Sequence, residues 1–335
     1  MKKNILIIGS SHPSSIEKMF YHSFKKLKLK VQFLDPNLNI KLYKKNKIYF
    51  KLFKNNYFKN YNEIIYDNLK KKYKSNIIFF FKGESLNKKF LEKLRLFKEN
   101  IYINYFTDNP FYGKSKYLNI IKYFDFYFTW SKDIKKNIIK KKLYLKKYAI
   151  NYLPFGYDFR YRKKINLLKL NNKKYLFYGS WDIQREKVIE KLQLDNIDIY
   201  GNGWHKAGKL FKNKNKIYYK DIFGQNLASK INKYNAVINI NRPKVNNAHN
   251  MRLFEVAGYG GLIITKETHE TLNFFKKNCE IITYKNYKEL KNILKNNIKL
   301  FNRNKIRKKC FNKSKFHSYI TRCEKILKII KYEQK

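Results

Sequence analysis

The sequence predicts an α/β protein made of two doubly wound, Rossmann-like domains in succession. Short, continuous apolar runs rich in isoleucine and aromatic residues each stop at a turn of small polar residues, and most lead into a helical pattern; such runs suit parallel strands buried on both faces. The pattern restarts after a basic, non-periodic stretch at 157–173, and 335 residues are enough for two ordinary domains. We place the first domain at 1–158, the second at 174–300 and a basic helical segment at 301–335.

Residues 5–8 read as the opening strand, followed by a Gly9-Ser10-Ser11-His12-Pro13 loop and a helix over 14–27. Gly9 stands alone and makes no GxGxxG, so nothing marks a dinucleotide cofactor. The loop after the first strand lies at the ligand-binding edge of a doubly wound sheet. His12 is therefore a candidate general base or hydroxyl ligand, with a plain polar loop residue as the alternative. Further strands fall at 31–34, 76–81, 101–106, 124–129 and 148–153, while 37–72 reads as helices and loops covering the sheet. The strand at 101–106 runs directly into Thr107, Asp108, Asn109 and Pro110. Asp108 is either an acid/base group or an Asx turn and helix cap. Ser131 is placed to cap the next helix.

In the second half, strands are expected at 175–178, 197–200, 236–240 and 280–284, with helices from 184 (carrying Arg185) and over 221–233. From 287 onward the pattern is helical and basic. Gly179, Gly201 and Gly203 mark turns after strands. Residues 250–265, NMRLFEVAGYGGLIIT, read as a short helix, a glycine stop and a buried strand. Arg252 and Glu255 are three apart and share one helix face, opposite Leu253, Phe254, Val256 and Ala257. Gly258, Gly260 and Gly261 are expected to end the helix through positive φ. An exposed arginine and acid here suit a ligand with phosphates and hydroxyls; a surface ion pair is the alternative.

The formal net charge is +52, which by itself points to nucleic acid or an anionic membrane. Lysine, however, outnumbers arginine several-fold and is scattered along the whole chain among Asn, Ile, Tyr and Phe, as drift toward A/T-rich codons would leave it. No specific nucleic-acid partner is expected, since recognition of phosphates and bases usually concentrates arginine. A salt-sensitive attraction to anionic lipid remains physically real. Three cysteines without a CxxC suggest a reducing compartment and no zinc site. The apolar run at 5–8 is too short for a signal peptide, so a cytoplasmic protein, peripheral on a membrane at most, is expected.

Six pieces in order resemble the group-1 type bacterial glycosyltransferases, in particular their spore-maturation-protein (CgeB)-like branch: YFTDNP at 105–110, FTWSK at 128–132, YLPFGYD at 152–158, FYGSWDIQRE at 177–186, IYGNGW at 199–204 and NMRLFEVAGYGG at 250–261. The resemblance implies a GT-B fold, two Rossmann-like domains facing across a cleft. It implies transfer of a sugar from a UDP-, GDP- or similar donor to a hydroxyl of a glycan, lipid-linked or protein acceptor in cell-surface glycan synthesis. Glu255 would accept from the donor's ribose hydroxyls, and Arg252 and Arg185 would lie near the diphosphate. Gly201 and Gly203 would let the chain approach the nucleotide. Fixed cations and helix N-terminal N–H groups would serve in place of a metal, and no cofactor is implied. Asp108 and His12 would activate the acceptor or line its site. One position departs from the family: the retaining group-1 pattern has a second glutamate eight positions before Glu255, where this chain has Asn247. Trp181 and Trp204 are candidates either to stack on a base or sugar or to anchor the core. Two further classes, a non-catalytic GT-B scaffold and a basic nucleic-acid-binding protein, stand as alternatives.

Overall fold

The computed structural model describes residues 4–40, 54–71, 76–111, 116–164, 173–214, 216–242, 247–296 and 300–332. Parts of the expected covering segment and basic stretch, 41–53, 72 and 165–172, lie outside the described residues. The chain divides into two compact units, Met1–Pro154 with Arg322–Lys335, and Phe155–Thr321. Residues 301–335, expected as one helical segment, are thus shared between the units.

Unit 1 alternates strands and helices: β1 (Asn4–Ile8), α1 (Ile16–Lys26), β2 (Lys30–Leu34), α2 (Lys54–Lys71), β3 (Ile77–Phe81), α3 (Lys88–Leu94), β4 (Ile101–Phe106), α4 (Lys116–Asn119), β5 (Phe126–Thr129), α5 (Lys132–Lys140) and β6 (Ile150–Tyr152). Its sheet has six strands in the order β2-β1-β3-β4-β5-β6, and every pairing is parallel. All five residues of β3, IIFFF, are buried, as a strand covered on both faces requires. Phe20 of α1 packs edge-on against Phe79, Phe81 and Tyr105 at 5.2–5.7 Å. The expected Ser131 cap holds, accepting from Asp133 N, and Ser15 caps α1 in the same way by accepting from Lys18 N.

Unit 2 repeats the plan with β7 (Tyr175–Tyr178), α6 (Ile183–Leu192), β8 (Ile197–Tyr200), α7 (Lys209–Lys214), β9 (Lys216–Tyr218), α8 (Gly224–Ile231), β10 (Ala236–Asn239), α9 (Met251–Gly258), β11 (Ile263–Lys266), α10 (His269–Phe274), β12 (Ile282–Tyr284), α11 (Tyr287–Lys295) and α12 (Leu300–Ser314). A final helix, α13 (Tyr319–Tyr332), carries the chain back into unit 1. The second sheet is again parallel and six-stranded, ordered β12-β11-β10-β7-β8-β9. Strand order reverses between β7 and β10, and in such sheets the crevice at that reversal is where ligands sit. The helix expected over 221–233 begins only at Gly224, because Asp221 is used to hold Asn202 through its backbone N–H at 3.2 Å.

Trp204 is a core anchor. It is fully buried, stacks on Phe211 at 5.6 Å and meets Phe177 edge-on at 5.8 Å. Arg303 and Arg307 tie α12 down through backbone carbonyls: Arg303 donates to Asn235 O at 2.6 Å and Arg307 to Gly260 O at 2.8 Å. Of the three glycines expected to end α9 by positive φ, only Gly260 has one, at 81°. Gly258 and Gly261 are present for space instead. A Cβ on Gly258 would stand 2.3 Å from Tyr157 Cγ, and one on Gly261 2.3 Å from Ile231 Cγ2. Among the described residues no helix is long and apolar enough to cross a membrane.

The Gly258 contact makes a prediction in which two effects oppose. Helix propensity alone favours Gly258→Ala by about 1 kcal/mol. Driving a methyl into the Tyr157 ring costs about 1–3 kcal/mol. The collision wins, so urea unfolding of Gly258→Ala shows a lower midpoint than wild type; an unchanged or higher midpoint refutes the packing.

Candidate functional site

In unit 2 the candidate residues converge at the β7–β10 reversal. Gly179 ends β7 with φ 145°. A Cβ there would lie 2.2 Å from Arg252 Nη2 and 3.3 Å from Arg185 Nη1, so the missing side chain is the space both guanidiniums use. The loops after β7 and β8 are zipped together, with Gly179 N donating to Tyr200 O and Trp181 N to Asn202 O, both at 2.8 Å. Gly201 permits this: at φ 150° its Cβ would stand 2.1 Å from Gly179 O. Gly203, φ 84°, faces Trp181. The hydrogen faces of Gly201 and Gly203 are therefore turned toward neighbouring protein. Trp204 Nε1 donates to Gly179 O at 2.9 Å. Trp181 is half-buried and donates to Glu186 at 2.6 Å.

Arg185, 3% exposed, bridges the crevice: Nε donates to Ile240 O after β10 at 3.2 Å, and Nη1 to Ser180 O after β7 at 2.8 Å. Arg252 reaches Asn239 Oδ1 at 3.4 Å and lies 5.5 Å from the centre of the Tyr178 ring. Burial first, then the charges of Arg252 and Arg242, push the Arg185 guanidinium down to about 8. Burial also pushes Arg252 down. Among the described residues neither forms an ion pair within 4.0 Å, although the charge of Glu255 acts on Arg252 and that of Asp182 on Arg185. Asn250, the N-cap of α9, makes no capping bond with its side chain. It turns instead to Asn239 at 2.8 Å and Asn241 at 2.5 Å. The first turn of α9 is thus left without the usual side-chain cap, with Arg252 beside it.

The expectation that Arg252 and Glu255 share an exposed face is overturned. Glu255 is 5% exposed and accepts from Tyr178 OH at 2.9 Å. The i,i+3 spacing was read correctly, but the face is covered by β7 through Tyr178. Burial raises the Glu255 carboxyl to about 7 and outweighs the lowering by the Tyr178 bond and the Arg252 charge. Asn247 is exposed; its backbone oxygen accepts from Glu270 N at 3.5 Å. Nearby, buried His249 holds the segment before α9. Phe155 N donates to its Nε2 at 3.2 Å, so Nδ1 carries the proton shared with Glu270 at 2.7 Å. Tyr178, Asn239, Asn250 and His249 were not singled out as site residues, although Tyr178 lies inside the FYGSWD piece.

In unit 1, exposed His12 pairs through Nδ1 with Ser14 Oγ at 2.7 Å on the loop after β1. Asp108, also exposed, pairs with Lys82 at 3.2 Å on the loop after β4. β3 separates β1 from β4 in the sheet. The Asx turn is made by Asn109, which accepts from Phe111 N at 3.0 Å, so Asp108 is left with Lys82. A group absent from the sequence reading lies behind His12: Glu17 is buried, and burial raises its carboxyl. It accepts from Ser10 N at 3.4 Å and fills the space a Gly9 side chain would need.

Residues 184–328 match the family model described as Glycosyl transferase-like. No curated protein sequence matches the chain. Among solved structures, sucrose-phosphate synthase from Thermosynechococcus elongatus superposes with a TM-score of 0.68 at 11% identity, covering 98% of each chain. Anabaena HepE, crystallised with UDP and glucose, gives 0.67 at 12% identity, over 98% of this chain and all of its own. A Rickettsia africae glycosyltransferase gives 0.67 at 14% identity, over 100% of this chain and 99% of its own.

The raised Glu255 carboxyl makes stability depend on pH. The native state holds this proton more tightly than the unfolded chain does. Stability is therefore full below the ordinary value of 4.5, falls as pH rises toward about 7, and levels off above. The loss is on the order of 3 kcal/mol. Urea midpoints measured across that window fall less steeply in Glu255→Gln than in wild type; parallel slopes refute the assignment. In its two parallel, six-stranded α/β domains the chain has the GT-B fold.

Proposed function

We propose that the protein is a glycosyltransferase that moves a sugar from a UDP- or GDP-linked donor to an acceptor hydroxyl, within the CgeB-like branch and in cell-surface glycan synthesis. The observation that carries this reading is the pair of arginines, Arg185 and Arg252, that form no ion pair among the described residues, beside an α9 N-terminus that lacks its side-chain cap, at the reversal of the second sheet. Its partial positive charge and theirs suit a diphosphate. The Glycosyl transferase-like match over 184–328 and the UDP-bound HepE neighbour support it.

In this reading the acceptor oxygen bonds to the anomeric carbon as the bond from that carbon to the diphosphate oxygen breaks. Arg185, Arg252 and the α9 N–H groups stabilise the charge growing on the departing diphosphate, the part a metal would otherwise play. Glu255 accepts from the ribose hydroxyls, and the backbone at Gly201 and Gly203 borders the nucleotide. Asn247 offers hydrogen bonds to the sugar without a carboxylate. The acceptor's proton passes to Asp108 or His12 on the loops of unit 1. The enzyme works in the cytoplasm, with its basic surface against an anionic membrane, on a glycan, lipid-linked or protein acceptor.

Binding of UDP, GDP and inorganic pyrophosphate, followed by thermal shift and saturation-transfer NMR, tests the assignment of roles. Arg252→Met weakens all three, by about tenfold to a hundredfold for lost charge-assisted bonds. Glu255→Gln weakens the nucleotides while leaving pyrophosphate unchanged, because only nucleotides carry a ribose. Absence of any nucleotide binding by the wild-type chain overturns the reading.

A further inference from the structure

A cleft in unit 2 lies apart from the crevice between β7 and β10. Its volume is about 400 Å³, within the roughly 300–1,000 Å³ of small-ligand sites. It opens along β12, an edge strand that β11 separates from β10. Ile282, the first residue of β12, lines it at the amino end of the strand, whereas the Arg185 and Arg252 crevice lies at the carboxyl ends. Helical spacing builds the walls. Glu289, Asn292, Ile293 and Asn296 recur at i, i+3, i+4 and i+7 on α11 and so share one face, while Leu290 and Leu294 turn into the core. Asn302 and Ile306, four apart on α12, supply a second wall. Asn278 completes the lining from the turn before β12, at φ 55° and with its N–H donating to Ile281 O at 2.8 Å.

Two features set the chemistry of this cleft. The first is four carboxamides brought together from three elements. Asparagines elsewhere act as caps, as Asn286 does for α11 and Asn87 for α3. The side chains of Asn278, Asn292, Asn296 and Asn302 are exposed and make no hydrogen bond among the described residues. The second is charge. In a chain where 76 of 335 residues are Lys or Arg, neither type is among the described residues that line the cleft. The charged group there is Glu289, whose Oε2 accepts from Lys285 N at 2.7 Å while Oε1 keeps its acceptor capacity. Between these polar groups Ile282, Ile293 and Ile306 form an apolar floor continuous with the core of unit 2.

We propose that this cleft binds a neutral saccharide residue. A carboxamide presents a donor and an acceptor side by side, which matches vicinal hydroxyls that each donate and accept. Glu289 Oε1 takes a further hydroxyl in a charge-assisted bond. The isoleucine floor receives the C–H face of the ring, which is apolar. A phosphate or carboxylate would instead meet the Glu289 charge with no cation beside it. Because the cleft is separate from the donor crevice, the ring it holds is not the one transferred. It retains a glycan chain near the enzyme and raises that chain's effective concentration. Assigning the chain to the reaction rests on the glycosyltransfer reading; saccharide binding itself does not.

NMR of the intact chain, labelled with ¹⁵N at asparagine, tests this. The side-chain amide signals of Asn278, Asn292, Asn296 and Asn302 are assigned from the signal that each single Asn→Ser variant loses. Glucose, galactose, mannose, N-acetylglucosamine and maltotetraose are then titrated in turn. At least one of them shifts all four signals along one saturating curve, while amides elsewhere stay in place. Asn292→Ala and Glu289→Gln each raise the dissociation constant by about tenfold. Asn302→Trp, a change at an exposed position, blocks the cleft and abolishes the shifts, with the thermal transition of each variant confirming that it folds. If no saccharide moves the four signals, or if shifts spread over asparagines along the whole chain, the site is overturned. Tighter binding of glucose 6-phosphate than of glucose overturns the assignment of a neutral ligand. UDP binding is measured in parallel: its absence with the saccharide shifts intact removes the glycosyltransfer reading alone.

Discussion

The strand-reversal edge of the second sheet depends on one residue without a side chain. β7 ends at Gly179, and two guanidiniums occupy the space a Cβ would fill. The carbonyl of the same residue is held by Trp204 and approached by Gly201 so closely that any side chain there would collide. A single backbone position therefore places the loop after β8, the core tryptophan and the arginines together. Arg185 then ties the end of β7 to the end of β10 across the strand reversal. Remove that space and the arginines must leave the crevice, because backbone and indole cannot yield.

The chain's use of cations follows from their chemistry. Its net charge of +52 is carried overwhelmingly by lysines spread along the sequence. Buried positions are different: Arg185, Arg303, Arg307 and Arg322 are all buried, and each donates to at least one backbone carbonyl. A planar guanidinium can serve several carbonyls in fixed directions and is more weakly hydrated than an ammonium, so it is less costly to bury. Burial still lowers Arg303 to about 9 and Arg307 to about 10. Lysine cannot substitute there, which accounts for arginine persisting in a composition otherwise drifting toward lysine.

Strands were legible in the sequence where the apolar run was continuous. β7 and β8 fall where expected, and β3 and β10 within a residue. β9 was missed because its three residues, Lys216–Tyr218, include an exposed lysine and no fully buried side chain. The site was legible as residues but not as an environment. Spacing puts Arg252 and Glu255 on one helix face, yet only the fold shows that β7 covers that face and that Tyr178 reaches the carboxyl. Glu17 was hidden for a related reason: nothing local distinguishes a first-turn glutamate facing solvent from one folded beneath Gly9. The tryptophans were ambiguous for the opposite reason, since an indole suits core and ligand alike, and packing alone assigns Trp204 to the core.

Burial of Glu255 has a consequence for how charge is distributed in the crevice. With its carboxyl near 7, the group sits between two protonation states, held toward the ionised one by Tyr178 and Arg252. A ribose diol donates hydrogen bonds and so favours the carboxylate. A diphosphate in the same crevice opposes it through like charge. Arg252 acts on Glu255 from the same helix and lies beside Gly179 next to Arg185, where the diphosphate is proposed to bind. Its charge screens one anionic group from the other. On the proposed reading Arg252 is thus better understood as a screen between Glu255 and a bound diphosphate than as half of an ion pair, and this requires burial, since in water the screening would be supplied by solvent.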